Sequence, residues 1–167
     1  MNKEIEIRIR PSETAKVSRY TEDLRNVLLR SEGVSLEQAL AEWADRIIER
    51  RFAWLEQNKD CFAHLEGTEV KKGFQLVLFE YMDISPEEVP IIEETETKIT
   101  WHAYDFCPYF EAIKALGMDT RIVCKYALET PVQVLLNALN PRLRFSRNYK
   151  KVRPYSDYCE EIIELVE

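Results

Sequence analysis

Glycine is scarce in this chain, four residues in 167. Phosphate-cradling loops need glycines close together, because backbone must approach the anion. Gly33, Gly67, Gly73 and Gly117 are too scattered for that, which excludes a Gly-rich nucleotide cradle. A Gly-x-Ser-x-Gly elbow and a His-Glu-x-x-His helix are both missing, so neither signature hydrolase chemistry is on offer. Long apolar runs are missing too. Leu76–Phe79 is typical of the longest, far short of the roughly 18 apolar residues of a membrane helix. Met1–Arg10 is alternating and charged, unlike an apolar export signal. The expected location is therefore cytoplasmic, with no membrane partner. Positive charge is in deficit: 23 Lys and Arg stand against 30 Asp and Glu, a net charge of −7. Nucleic-acid binding needs a basic footprint, so no nucleic-acid partner is expected.

What remains is an ordinary globular composition, 46% hydrophobic and 32% charged, with no long linker and no repeat. That length and balance suit one domain, residues 1–167, with a full core. The charge is unevenly spread. From Glu80 to Thr97 the chain is acidic without Lys or Arg, and from Pro141 to Pro154 it is basic without Asp or Glu. Two readings stand side by side: a pair of solvated faces attracting each other, and a basic wall for a small anionic molecule.

Hydrophobic spacing gives a mixed order of elements. Glu4–Arg10 alternates, with Ile5, Ile7 and Ile9 on one side, and reads as a half-buried strand. Pro11-Ser12-Glu13 opens a helix with Ser12 as candidate cap, and Val17, Tyr20, Leu24, Val27 and Leu28 form its apolar face. Ser35 and Gln38 suggest a capping box for a second helix running to about Asn58. Phe74–Tyr81 is rich in β-forming residues and reads as a strand. Lys98–Phe106 alternates, with Ile99, Trp101 and Ala103 facing one way and Thr100, His102 and Tyr104 the other. Cys107–Leu116, Arg121–Leu128 and Pro131–Leu139 read as helices, Arg142–Asn148 as a strand with a cationic face, and Tyr158–Val166 as the last strand, with a helix as its rival. The fold class is α+β: an N-terminal strand and helix pair, then a mixed or antiparallel sheet packed by helices.

Three of the four cysteines fall in the last two fifths of the chain, each near a turn signal. A reducing compartment leaves them as thiols rather than a structural disulfide. Thiolates are strong nucleophiles and soft metal ligands. Cys107 precedes Pro108 at a helix start, where the helix dipole favours thiolate. Cys159 lies two residues after Asp157, on the same face if both are on a strand. Cys124 lies at helical spacing among Ile122, Val123 and Leu128, where a core thiol is an even rival. His102, on the strand leading into Cys107, is the candidate general base, although a lone histidine on a strand is commonly packing. No cofactor is expected. Zinc is the metal whose ligand types the set His102, Cys107, Cys124 and Cys159 would supply, but no Cys-x-x-Cys occurs and the spacing is unlike ribbons and fingers. On strand parity Arg147 joins Leu143 and Phe145 on the apolar side, away from Arg142 and Arg144. A core-facing guanidinium needs a carboxylate, from Asp157, Asp105 or a ligand.

The series Cys107-Pro108-Tyr109, Leu116-Gly117, Cys124, Asn140-Pro141-Arg142-Leu143, Arg147 and Asp157-Tyr158-Cys159 resembles the L-2-amino-thiazoline-4-carboxylic acid hydrolase family. The resemblance covers residues 99–166, a Cys-marked core, and Ser156 stands where that family usually has glycine. The Asp-x-Cys ending also resembles small-molecule-sensing domains of the vinyl-reductase type, in which cysteines hold zinc. The family implies a small-molecule hydrolase that adds water to a cyclic C=N bond of a thiazoline-type carboxylic acid. Cys107, Cys159 and Cys124 would be its thiols, His102 or Asp157 would move protons, and Arg147 would pair with the substrate carboxylate. Two alternatives stay open: a non-catalytic module holding a small ligand or metal among the cysteines, and an interaction subunit docking through its helix pair. A homodimer fits any of these.

Overall fold

The computed structural model describes residues 4–167. Pro11 supplies a preset φ for the first turn of α1 (Pro11–Arg30). The cap is Arg10 rather than Ser12: the Glu13 carboxylate accepts the Arg10 backbone N–H at 3.2 Å and its Nη2 at 2.6 Å. Glu4–Arg10 forms no strand, contrary to its alternation. Its donors go to side chains instead, the Arg8 backbone N–H to Glu88 Oε1 at 2.7 Å. Ile7 and Ile9 are exposed, so no apolar face was available to set a register.

Ser35 caps α2 (Leu36–Gln57) as expected, its Oγ accepting the Gln38 N–H at 3.1 Å. The Trp43 indole donates to Asp23 at 3.2 Å and ties α2 to α1. A short 3₁₀ turn, Lys59–His64, leads to α3 (Glu69–Gln75), which Thr68 caps. Leu76–Tyr81 then continues as a π-helical stretch, not the strand that its β-formers predict. Val70, Phe74, Val77 and Leu78 are buried at a spacing of four, three and one. That is a helical stripe, and packing along it overrides the weak β-preference. At Gly73 an added Cβ would come within 3.0 Å of a Leu136 methyl and 3.3 Å of a Leu143 methyl, so α3 sits tight on its neighbours.

A 3₁₀ turn at Pro86–Glu88 precedes β1 (Ile91–Glu94) and β2 (Lys98–Ala103). The remaining helices are α4 (Pro108–Ala115), α5 (Thr120–Val123), which runs on as a π-helical turn over Cys124–Leu128, and α6 (Glu129–Leu139). Gly117, at φ +64°, ends the α4 region in a conformation other residues adopt at a cost. β3 (Leu143–Arg147) and β4 (Cys159–Leu165) complete one antiparallel sheet in the order β1-β2-β4-β3. β4 is therefore a strand, and the helical rival falls.

One face of the sheet carries Ile99, Trp101, Ala103, Leu143, Phe145 and Ile163, all buried, against α3 and α6. A second cluster lies among the helices: Tyr20, Leu24, Leu40, Trp43 and Ile47 of α1 and α2 meet Ile113, Val123 and Leu128. Burying a large apolar side chain stabilises by about 1.5–3 kcal/mol, so each cluster is a substantial core. The molecule is a helical layer and a sheet layer, and the candidate site lies on the seam between them.

Candidate functional site

A chamber of about 70 Å³ opens on that seam, and Cys107, Cys124, Cys159 and Arg147 all line it. The walls come from both clusters: Leu78, Ile84 and Val132 from the sheet side, Tyr109 and Leu128 from the helix side. Two of the wall segments, Leu76–Tyr81 and Cys124–Leu128, are the π-helical ones. A π-turn re-aims side chains within a helix, which is why such turns recur at functional sites.

The sheet supplies the polar floor through its two-residue period. Arg147 follows Leu143 and Phe145 on the core face, and in register it faces Glu161 of β4. Cys159 precedes Glu161 on that face and pairs with Ala103. The buried hydrocarbon of Phe145 and Ile163 thus gives way, one step along, to Arg147, Glu161 and Cys159. Arg142 and Arg144 face solvent, as parity predicts, and donate to the Val166 and Leu143 carbonyls at 3.0 and 2.9 Å.

Arg153 knots the chamber's loops together. Its Nη1 donates to the Asp105 carbonyl at 2.6 Å, while its Nε and its backbone N–H both point at the Cys159 sulfur at 3.5 Å. Thr120 Oγ1 donates to the Arg153 carbonyl at 2.7 Å. Two N–H donors, one of them cationic, thus converge on one sulfur.

Three guanidiniums line the chamber: Arg51, Arg147 and Arg153. Arg147 lies 4.8 Å from the Phe145 ring, and its Nη1 is buried without a hydrogen-bond partner. Arg51 is 2% exposed, rests 4.6 Å from the Tyr81 ring, and leaves Nε and Nη1 without partners. Among the described residues none of the three closes a direct ion pair. Against them stand Asp105 and Glu161. Burial pushes the Asp105 carboxyl up to about 7, with Arg153 opposing, and burial also raises Glu161 against the pull of Arg147. Three guanidiniums against two carboxylates leave the chamber net positive even with both acids ionised, and burial disfavours the acids' charged forms, a balance that suits an anion.

Burial governs two of the thiols as well. It pushes Cys107 up to about 12, against the pull of Arg153, and Cys124 up to about 11, against that of Arg147. The helix-start expectation for Cys107 fails for this reason: desolvation outweighs the dipole. Cys107 serves α4 as its cap, with its sulfur accepting the Phe110 N–H at 3.4 Å.

Two expected members lie elsewhere. His102 alternates with Trp101 and Ala103, so it faces the opposite side of the sheet from Cys159. There its Nε2 meets Glu160 Oε1 at 2.9 Å and its ring stacks on Tyr158 at 3.7 Å. It is held in a polar cluster and cannot serve as base for the chamber thiols. The zinc constellation that included it is therefore not assembled. Asp157 precedes β4, in the loop, and is exposed, so strand parity with Cys159 does not apply. It is not the partner of Arg147; Glu161 is the acid in register with it. Cys61 packs with Leu65 and Leu76, away from the chamber.

Sequence reasoning passed over three wall residues. Arg51 follows Ile47 and precedes Leu55 by four each, squarely on the apolar stripe of α2, and that spacing was the available signal. Glu161 shares parity with Ile163 in β4. Arg153 sits in an irregular loop, and no periodic pattern marks it. No protein-family model, curated protein or solved structure matches the chain.

Proposed function

We propose that the chain is a hydrolase for a small carboxylate of the thiazoline type, with Cys159 as nucleophile. The observation that carries this reading is the convergence of the Cys159 sulfur, under two Arg153 donors, with Arg147 and with an acid that titrates near neutrality. The resemblance of residues 99–166 to the thiazoline hydrolases supports it. Arg147 receives the substrate carboxylate through its unpartnered Nη1. The Cys159 thiol attacks the ring carbon of the C=N bond, forming C–S while the π electrons pass to nitrogen, which takes the thiol's proton. Asp105, protonated for part of the time at pH 7, gives that nitrogen its second proton. The ring C–N bond then breaks with nitrogen leaving as the neutral amine. Water displaces the Cys159 sulfur, delivering oxygen to carbon and returning one proton to the Asp105 carboxylate and the other to the sulfur.

A second reading, a non-catalytic carboxylate-binding module, draws on Cys107 and Cys124 being held as neutral thiols. One experiment separates the two. The purified chain is incubated with 2-aminothiazoline-4-carboxylate, and ring opening is followed by mass spectrometry. The hydrolase reading expects turnover that Cys159→Ser lowers on the order of 10³-fold or more. Binding without turnover leaves the module reading, and turnover that Cys159→Ser does not change overturns the assigned nucleophile.

A further inference from the structure

A second chamber, of about 270 Å³, adjoins the first and shares Arg51, Met82, Ile84, Asp105, Cys107 and Tyr109 with it. The reaction above uses none of its other walls. Tyr20, Trp54, Tyr81, Phe106 and Tyr109 make much of its lining aromatic. Tyr20 and Tyr109 stack in parallel at 4.0 Å, and Trp54 meets Tyr81 edge-on at 5.0 Å. Ring pairs of this kind make a box for another flat ring, which can stack on a face or meet an edge.

The charge in the box is specific. Arg51 is 2% exposed, and its Nε and Nη1 are buried with no partner, although it lines both chambers. The Tyr81 face at 4.6 Å offsets part of the desolvation and satisfies neither N–H donor. A buried guanidinium in this state calls for an anion. The nearby carboxylates do not meet the need. Glu13 is bound to Arg10 at 2.6 Å, and Asp105 closes no ion pair among the described residues. One guanidinium, with Lys16 the other basic residue on the wall, matches a single carboxylate better than a phosphate, which draws on more donors.

We propose that this outer chamber is a binding site for a small aromatic carboxylate, its ring among Trp54, Tyr81 and Tyr109 and its carboxylate on Arg51. The site does not depend on the hydrolase reading, because Arg147 and Cys159 take no part in it. Phenylacetate is the probe, titrated into the full-length chain and followed by ligand-observed saturation-transfer NMR. Benzyl alcohol keeps the aromatic ring without the charge, and cyclohexylacetate keeps the charge without the aromatic ring. Phenylacetate should bind at least tenfold more tightly than either. Arg51→Met should weaken it at least tenfold, while Arg144→Met, at a solvent-facing position, changes it less than twofold. If Arg51→Met fails to fold, Trp54→Leu, at a half-buried position, carries the test and should also weaken binding at least tenfold. Absence of saturable phenylacetate binding overturns the proposal. So does equal affinity for benzyl alcohol, or loss of binding in Arg144→Met with Arg51→Met unaffected.

Discussion

Asp105 links charge to stability in a direction that can be measured. Burial raises its carboxyl from 3.8 to about 7 in the folded chain. Between those values the unfolded chain has released the proton and the folded chain still holds it. Stability therefore falls as pH rises through this window, by up to about 1.4 kcal/mol per pH unit from this group, and levels off above about 7. Asp105→Asn should remove that slope and gain most over the native chain at pH 7 and above, as read by urea denaturation at pH 4.5 and 7.5. An unchanged slope would mean that the carboxyl is not desolvated. Arg147 makes the complementary case. Its position on the core face was legible from parity with Leu143 and Phe145, since alternation is strict inside a paired strand. Its partner was not legible, because Glu161 becomes its neighbour only once β3 and β4 are in register. Asp157 looked equally placed on paper but lies before the strand begins.

Elements show where short-range signals suffice and where packing decides. Ser35, Pro11 and Pro108 mark helix starts by local chemistry, and the structure places helices at each. Phe74–Tyr81 fails as a strand because its β-formers lie on a helical stripe that α6 and the sheet bury. Glu4–Arg10 fails because alternation without a covering layer stabilises nothing. Two substitutions test the elements. Cys107→Ser replaces a weak sulfur cap on Phe110 with a stronger oxygen cap. It should leave the fold intact and shift stability by no more than about 1 kcal/mol, measured by thermal melting; complete unfolding would mean that the thiol does more than cap. Gly73→Ala puts a methyl within 3.0 Å of Leu136 and 3.3 Å of Leu143. It should cost about 1–3 kcal/mol by overpacking the contact of α3 with β3 and α6, and a neutral melt would show that the contact has slack.

At the scale of the whole molecule, two cores meet on a seam that is polar where the sheet ends. The fold class was readable from the sequence because it rests on period and punctuation. The chamber was half readable: three thiols and Arg147 converge as their motif suggested, while Arg51, 96 residues before Arg147 in the chain, arrives only through tertiary packing. The acidic and basic runs do not join. Among the described ion pairs the acidic run engages Arg10, Lys71 and Lys98, and the basic run engages Glu160 through Lys151. The arginines that matter to the chamber are those turned inward, and in the proposed function one of them, Arg147, holds a small carboxylate beside the Cys159 thiol. Iodoacetate is both a small carboxylate and a thiol alkylator, so it measures this directly against its neutral analogue iodoacetamide. Site-resolved mass spectrometry should find Cys159 labelled faster by iodoacetate than by iodoacetamide, with the reverse order at Cys61 and with Arg147→Met abolishing the preference. Cys159 labelled faster by the neutral reagent in the native chain, or a preference for iodoacetate that survives Arg147→Met, would contradict the account.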